Sequence, residues 1–352
     1  MMQAAPENPH LPVRPAWLAL HTEAALEPDR AIIDPHHHLW DHPGNRYLLA
    51  EVLADTNAGH RIVATGFVEC GAMYRTHGPA SHASIGETEF VNCIAAESAS
   101  GLHGHCRIAA AIIGNVDLRM GDAAGALLDA HVAAAPARFR GVRNSSVHHP
   151  NPAARGSLAN PPPGLLLDAQ FRRGFAGLAP RGLTFDAWMY HTQLAEVMDL
   201  AKAFPDTTIV LNHVGGPNGI GPYAGQRAAV FAEWCASIKL LSHCHNVMVK
   251  LGGMGMRVFG FDFASHDTPP HSEVLAQAWG PYMHECIEAF GVERCMFQSN
   301  FPVDKGTCSY AVLWNAFKRI AAGYSASEKD ALFLHTAARV YKIKVPDHAT
   351  LA

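Results

Sequence analysis

Residues 31–43, AIIDPHHHLWDHP, join a short apolar run to three consecutive histidines. A run such as AIID is typical of a strand in a parallel sheet that helices cover on both faces. Because side chains alternate in an extended segment, His36 and His38 point to one face and His37 to the other. The segment therefore predicts a buried strand that ends in two histidines on the same face.

Seven further apolar runs alternate with helical patterns along the chain. The predicted strands are 31–34, 61–70, 106–117, 138–144, 183–190, 207–214, 246–253 and 294–301. The predicted helices are 86–100, 123–135, 191–204, 225–243, 272–290, 310–323 and 327–341. Eight such repeats favour an α/β fold of the (β/α)8 TIM-barrel type.

The predicted barrel forms a single domain over 31–345, preceded by a Pro-rich N-terminal arm over 1–30. The alternative is an open, doubly wound sheet, which would carry a glycine-rich fingerprint after its first strand. Histidines follow the first strand here, and no such fingerprint does. A second Pro-rich stretch, 148–164, is expected over the C-terminal ends of the strands, where it shapes substrate access or is a solvated loop.

Composition and net charge favour a small molecule as the binding partner of this protein. The 352 residues are 49% hydrophobic and 16% charged, with a net charge of −4, which disfavours nucleic acid and anionic membranes as partners. Eight cysteines without a CxxC pair indicate free thiols in a reducing compartment. With no signal-peptide pattern and no apolar run long enough for a membrane, we expect a cytoplasmic protein. A homo-oligomer stays an open alternative.

Histidines at strand ends are candidate metal ligands. His36 and His38 could share one divalent ion, and His191, after the fifth predicted strand, is placed to be a third ligand. Solvated histidines at a polar strand end, and a helix-start residue at 191, are the alternatives.

The other strand ends supply candidate catalytic and substrate-binding groups. His213, after the sixth strand, could be a ligand or the general acid–base. Glu69, Arg143, Tyr190 and Lys250 could bind substrate at the barrel mouth, with Arg143 suited to a carboxylate or a developing oxyanion. Structural ion pairs and satisfied polar groups explain these positions as well.

Four segments carry a family resemblance: DPHHHLWD (34–41), LNHVGGP (211–217), MFQSNFPVD (296–304) and HTAARVYKI (335–343). With them, residues 32–343 resemble the amidohydrolase superfamily, and within it the lactonase-like group of the amidohydrolase-2 family. The resemblance implies a distorted barrel and one divalent metal, expected to be zinc, on the first-strand histidines, with His191 as a further ligand. It also implies an acid–base role for His213, and some members work without metal.

The eighth strand departs from the family pattern. The aspartate that normally binds metal and takes a proton from water falls on Asn300, and a neutral amide cannot act as a general base. Three alternatives follow: Asp304 replaces it as the base, the metal alone lowers the pKa of water enough, or the chain carries out a different chemistry.

Three functions follow. The leading one is hydrolysis of a small lactone or a related cyclic ester or amide, in which metal-activated water attacks the carbonyl. The alternative is a metal-dependent lyase, a decarboxylase or hydratase acting on a small aromatic or unsaturated acid. A non-catalytic ligand-binding barrel is less favoured, because polar groups in a barrel mouth give no folding benefit.

Overall fold

A computed structural model describes residues 10–157 and 159–345 of the chain. Eight parallel strands form one sheet in the order β1, β4, β5, β6, β7, β8, β9, β10, and β2 pairs with β3 in a separate hairpin. The strands are β1 Ile32–His37, β2 Trp40–His42, β3 Asn45–Tyr47, β4 Ile62–Val68, β5 Arg107–Gly114, β6 Phe139–Arg143, β7 Thr184–Ala187, β8 Ile209–Leu211, β9 Val247–Leu251 and β10 Cys295–Phe297. The predicted TIM barrel is confirmed, with most strands shorter than predicted.

Backbone hydrogen bonds close the barrel between its first and last strands. The His38 N–H donates to the Phe301 carbonyl at 2.8 Å, and the Asn300 N–H donates to the His36 carbonyl at 2.9 Å. Ser299 adds a side-chain link, because its hydroxyl and its backbone N–H both donate to the buried Asp34 carboxylate. The closure therefore brings the histidine motif beside the segment that carries Asn300.

Helices cover the outside of the barrel. They are α1 Pro15–Leu18, α2 Leu49–Thr56, α3 Ile85–Ala99, α4 Ala124–Ala134, α5 Ala169–Phe175, α6 Leu194–Ala203, α7 Arg227–Leu241, α8 Ser272–Phe290, α9 Tyr310–Ile320, α10 Ala326–Asp330 and α11 Thr336–Val340. The single helix predicted over 327–341 is wrong, because a π-helical segment, Ala331–His335, separates α10 from α11. The wider turn allows four consecutive residues, 331–334, to be buried. No helix in the described ranges is long and apolar enough to span a bilayer.

The described part of the arm, residues 10–30, packs against α9. The Leu26 N–H donates to Asn315 Oδ1 at 2.8 Å, and the Lys318 ammonium donates to the carbonyls of Leu26 and Glu27. Residues 1–9 lie outside the described residues. The division of the chain at residue 30 stays a prediction, since the arm adheres closely to the barrel.

Candidate active site

A cavity of about 830 Å³ opens at the C-terminal ends of the barrel strands. Six of the side chains that line it stand at or just after strand ends: His38, Glu69, Arg143, Trp188, His213 and Asn300. Residues 156, 157 and 159–161 of the second Pro-rich stretch line it as well, as expected for a loop over this face. Parallel strands deliver their C-terminal residues to one edge, which explains how segments far apart in sequence meet here.

His36 is a fully buried imidazole between two others. Its ring centroid lies 5.0 Å from that of His38 and 4.7 Å from that of His213. Neither of its ring nitrogens has a hydrogen-bond partner among the described residues. Burial, with the nearby positive charge of Lys250, lowers the pKa of His36 well below its usual value. His36 is therefore neutral and keeps a lone pair for an electrophile.

The lone pair of His38 Nε2 faces the amide oxygen of Asn300, so two hydrogen-bond acceptors lie opposite each other. His38 Nδ1 donates to the Val68 carbonyl at 2.8 Å, so the lone pair of the neutral ring is on Nε2. Nε2 lies 3.3 Å from Asn300 Oδ1, while Asn300 Nδ2 donates to Asp304 Oδ1 at 2.8 Å. Burial lowers the pKa of His38 well below its usual value, which disfavours an added proton. Two acceptors this close are stabilised by a cation near both.

His213 is held by its neighbours in a fixed orientation. The Gln298 amide nitrogen donates to its Nδ1 at 3.0 Å, so the neutral ring carries its proton on Nε2. A Cβ at position 253 would lie 2.0 Å from the same Nδ1, so only glycine fits beneath the ring. The backbone at His213 has a φ of 52°, a conformation that non-glycine residues adopt mainly at constrained, often functional, positions.

Asp304 lies behind Asn300 and does not line the cavity. Its Oδ1 accepts from Asn300 Nδ2 and its Oδ2 accepts from the Gly255 N–H at 2.9 Å. Burial raises the pKa of Asp304 to about 7, despite both hydrogen bonds. The sequence left open that Asp304 replaces the missing base. From this position Asp304 does not reach the cavity itself, so it would have to act through Asn300.

The raised pKa of Asp304 gives a testable pH dependence. A carboxyl with a raised pKa in the folded state favours folding at low pH, and this contribution is lost as pH rises from about 4 to about 7. Asp304→Asn removes the titration but retains an acceptor for the Gly255 N–H. We expect the variant to gain stability relative to the native chain between pH 5 and pH 8, measured by urea unfolding. A constant difference across this range would contradict the raised pKa.

Glu69 and Arg143, predicted separately as substrate contacts, form one ion pair. Arg143 Nε donates to Glu69 Oε1 at 2.7 Å, and the guanidinium also donates to the Glu69 carbonyl. Both side chains line the cavity, with about a tenth of each exposed. The guanidinium is thereby fixed in orientation and still faces the space that a substrate would fill.

Four other predicted site residues do not line the cavity, and the buried His36 is one of them. Lys250 is fully buried and donates to Asp186 at 2.7 Å. The Tyr190 hydroxyl accepts from the Gly156 N–H at 2.8 Å, so it anchors the Pro-rich stretch. His191 Nδ1 accepts from the Asn218 N–H at 3.2 Å, and its Nε2 is buried with no partner in the described part of the chain.

The predicted three-histidine ligand set is not assembled in this structure. Within residues 10–157 and 159–345, no group of three His, Cys, Asp or Glu donor atoms within 4.8 Å of one another includes His36 or His38. The His191 ring instead packs edge-on against Tyr223, with centroids 5.1 Å apart. His37 is bonded through Nε2 to the Thr65 hydroxyl at 2.8 Å, away from the cavity, as side-chain alternation predicts.

Several residues that line the cavity were not predicted from the sequence. Among them are His10, Trp40, His42, Asn115, Arg119, Asn144 and Ser145. Trp40 stacks on His38 with ring centroids 5.7 Å apart, and its place in HLWD, two residues after His38, was an available signal. His10 carried no such signal, because it belongs to the arm and reaches the mouth only through the folding of the whole chain.

Comparisons with known proteins show which family the chain resembles. The amidohydrolase family model matches residues 33–343. An uncharacterized protein, y4mH, of Sinorhizobium fredii is 34% identical over 341 residues, covering 90% of this chain and 99% of the relative. An L-fucono-1,5-lactonase of Burkholderia multivorans is 27% identical, covering 91% of this chain and 98% of the relative.

A solved structure supports the fold. The crystal structure of an amidohydrolase from Burkholderia multivorans with bound zinc superposes with a TM-score of 0.67 at 24% identity, covering 89% of this chain and 100% of that one. The family supports an enzyme of the hydrolase type, against the non-catalytic alternative. With a family model that spans nearly the whole barrel, the chain belongs to the amidohydrolase family.

Proposed function

We propose that this protein hydrolyses a small lactone or a related cyclic ester in the cavity at the barrel mouth. The observation that carries the proposal is His36, a neutral, fully buried imidazole without a hydrogen-bond partner among the described residues, flanked by His38 and His213. A buried polar group without a partner is costly unless a ligand completes it. The similarity to an L-fucono-1,5-lactonase supports the substrate class.

The same residues fit a divalent metal. His36 offers a nitrogen without a partner among the described residues, its ring centroid lies 5.0 Å from that of His38, and His38 Nε2 faces Asn300 Oδ1 at 3.3 Å. Two imidazole donors favour zinc over magnesium or calcium. When bound, zinc supplies Lewis-acid polarisation of the substrate carbonyl and lowers the pKa of water. His191 would join this set only after its side chain leaves the Asn218 N–H.

Three side chains of the site would assist the reaction and the binding of substrate. His213 carries a hydrogen on Nε2 and, as a neutral ring, can donate a hydrogen bond to the oxygen on which negative charge develops when the lactone opens, while the leaving oxygen takes the proton that the attacking water releases. Arg143, oriented by Glu69, is suited to a polar or anionic part of the substrate. Asn300 cannot accept the proton of water as a base, so its contribution is to orient and to offer its amide oxygen.

Metal binding at this site is tested with His36→Ala. We expect the purified variant to hold about one zinc fewer per chain than the control, because one of the two imidazole donors at the barrel mouth is lost. The measurement is elemental analysis after dialysis against limiting zinc. His105→Asn, an exposed histidine, is the matched control. Equal zinc content in His36→Ala and the control would contradict the assignment.

The hydrolase itself is tested on a panel of aldonolactones and simple lactones, by following acid release at constant pH. We expect saturable turnover that His36→Ala and His213→Ala both reduce at least tenfold. Full turnover in both variants would show that the reaction occurs elsewhere, and no turnover on any lactone by the native protein would reject the substrate class.

Asn300 favours a second candidate, a decarboxylase or hydratase acting on a small aromatic or unsaturated acid. Decarboxylation needs a proton donor and an electron sink more than a base for water, so the absence of the eighth-strand carboxylate is compatible with this reaction. Release of CO₂ from a panel of hydroxybenzoates, without acid release from lactones, would select this reaction.

A further inference from the structure

A second group of ligand-type side chains lies where the arm crosses the start of α8. His21 Nε2 is 2.9 Å from Glu23 Oε1, and the His21 and His271 rings have centroids 3.8 Å apart. One donor atom from each of the three side chains lies within 4.8 Å of the other two, the one such group of three within the described ranges. None of the three residues lines the cavity at the barrel mouth.

The donor set is that of a zinc site. Two imidazoles and one carboxylate are a common protein ligand set for zinc, with the fourth position left to water. His271 is exposed and His21 and Glu23 are partly exposed, so an ion and a water molecule can reach the group. Imidazole donors also discriminate against magnesium and calcium, which prefer oxygen.

The carboxylate is already held in place by the barrel. Glu23 Oε1 accepts from the Ser272 N–H at 2.8 Å, and Oε2 accepts from Asn315 Nδ2 at 2.9 Å. Burial alone would raise the pKa of Glu23, but hydrogen bonds from His21, Ser272 and Asn315 lower it to about 2. The Glu23 carboxylate is therefore anionic at neutral pH. Two of the residues that hydrogen-bond to it, Ser272 and Asn315, belong to α8 and α9.

We propose that His21, Glu23 and His271 form a zinc site that fastens the N-terminal arm to α8. Two ligands come from the arm and one from the residue before α8, so a bound ion cross-links segments about 250 residues apart. The same arm delivers His10 to the wall of the active-site cavity. Zinc at this position thus stabilises the part of the arm that completes the cavity mouth.

The test is zinc binding and thermal unfolding of the full chain, with His271→Asn as the site variant. His266→Asn, an exposed histidine five residues earlier, is the matched control, and His36→Ala removes the proposed barrel-mouth site. We expect zinc at about a hundred times its dissociation constant to raise the Tm of His36→Ala by roughly 3 °C. The double variant His36→Ala/His271→Asn should lack this shift, and His271→Asn should bind one fewer zinc per chain than the control.

Three further outcomes decide the proposal. Magnesium should give no shift in any variant, whereas an equal magnesium effect would overturn a zinc-type site. Zinc should protect the arm from trypsin cleavage in the control but not in His271→Asn. The same zinc stoichiometry and Tm shift in His271→Asn and His266→Asn would overturn the proposal, and this result does not depend on lactone turnover.

Discussion

His213→Asn is expected to lower kcat on a lactone by about 10²- to 10³-fold, the usual cost of removing one hydrogen-bond donor to a developing oxyanion. The wild-type ring carries its proton on Nε2 because Gln298 donates to Nδ1. Asparagine can keep a contact with Gln298, and it tolerates the positive φ of 52° at this position better than most residues. The variant therefore removes the proposed imidazole hydrogen-bond donor with little disturbance of the turn.

The pattern of the kinetic loss identifies the role. Loss of a hydrogen-bond donor to a developing oxyanion lowers kcat while KM changes little, because the group acts mainly in the transition state. The control is His105→Asn, whose exposed side chain precedes β5 and does not line the cavity. A kcat within twofold of the native value, with a normal circular dichroism spectrum, would remove His213 from the mechanism. Faster turnover of lactones whose leaving alcohol is more acidic should partly rescue the variant.

The fold was predictable because its signals are local. Each barrel strand is a short apolar or β-branched run, and two-faced burial makes such runs stand out from the amphipathic helices between them. The first strand, Ile32–His37, is buried at every position. The split of the predicted helix over 327–341 was not predictable, because the apolar spacing of residues 331–335 suits an α-helix and a π-helical turn about equally well.

The site was predictable only in part, for a related reason. Alternation along one strand separated His37 from His36 and His38, and this depends on neighbours in sequence alone. The pairing of Glu69 with Arg143 joins residues 74 positions apart, so the local periodicity of apolar residues does not reveal it. His191 follows a strand end, but the loop that supplies the Asn218 N–H determines what its ring nitrogen contacts.

Lys250 illustrates the same limit, and its role can be measured. From the sequence it was a candidate substrate contact at the mouth. In the structure it is fully buried on β9 and its ammonium meets the buried Asp186 carboxylate at 2.7 Å. Asp186 also accepts from the Tyr341 hydroxyl and from Asn212 Nδ2. The ion pair therefore connects two barrel strands with the residue that follows α11.

Lys250→Met is expected to lower the free energy of unfolding by about 3–5 kcal/mol, the usual result of removing one partner of a buried ion pair. The cost arises because Asp186 keeps its charge and loses its cation, while Tyr341 and Asn212 remain as its only donors among the side chains that the structure describes. The measurement is urea unfolding at pH 7, with the m-value checked for two-state behaviour.

The double variant Lys250→Met/Asp186→Asn separates structure from substrate binding. Neutralising the stranded carboxylate should restore at least half of the lost stability, because the penalty lies in the unpaired charge rather than in the missing lysine. If Lys250 instead bound substrate directly, Lys250→Met would raise KM and leave unfolding unchanged. That result would require the ammonium to leave Asp186 and reach the cavity, and would return Lys250 to the substrate-binding set.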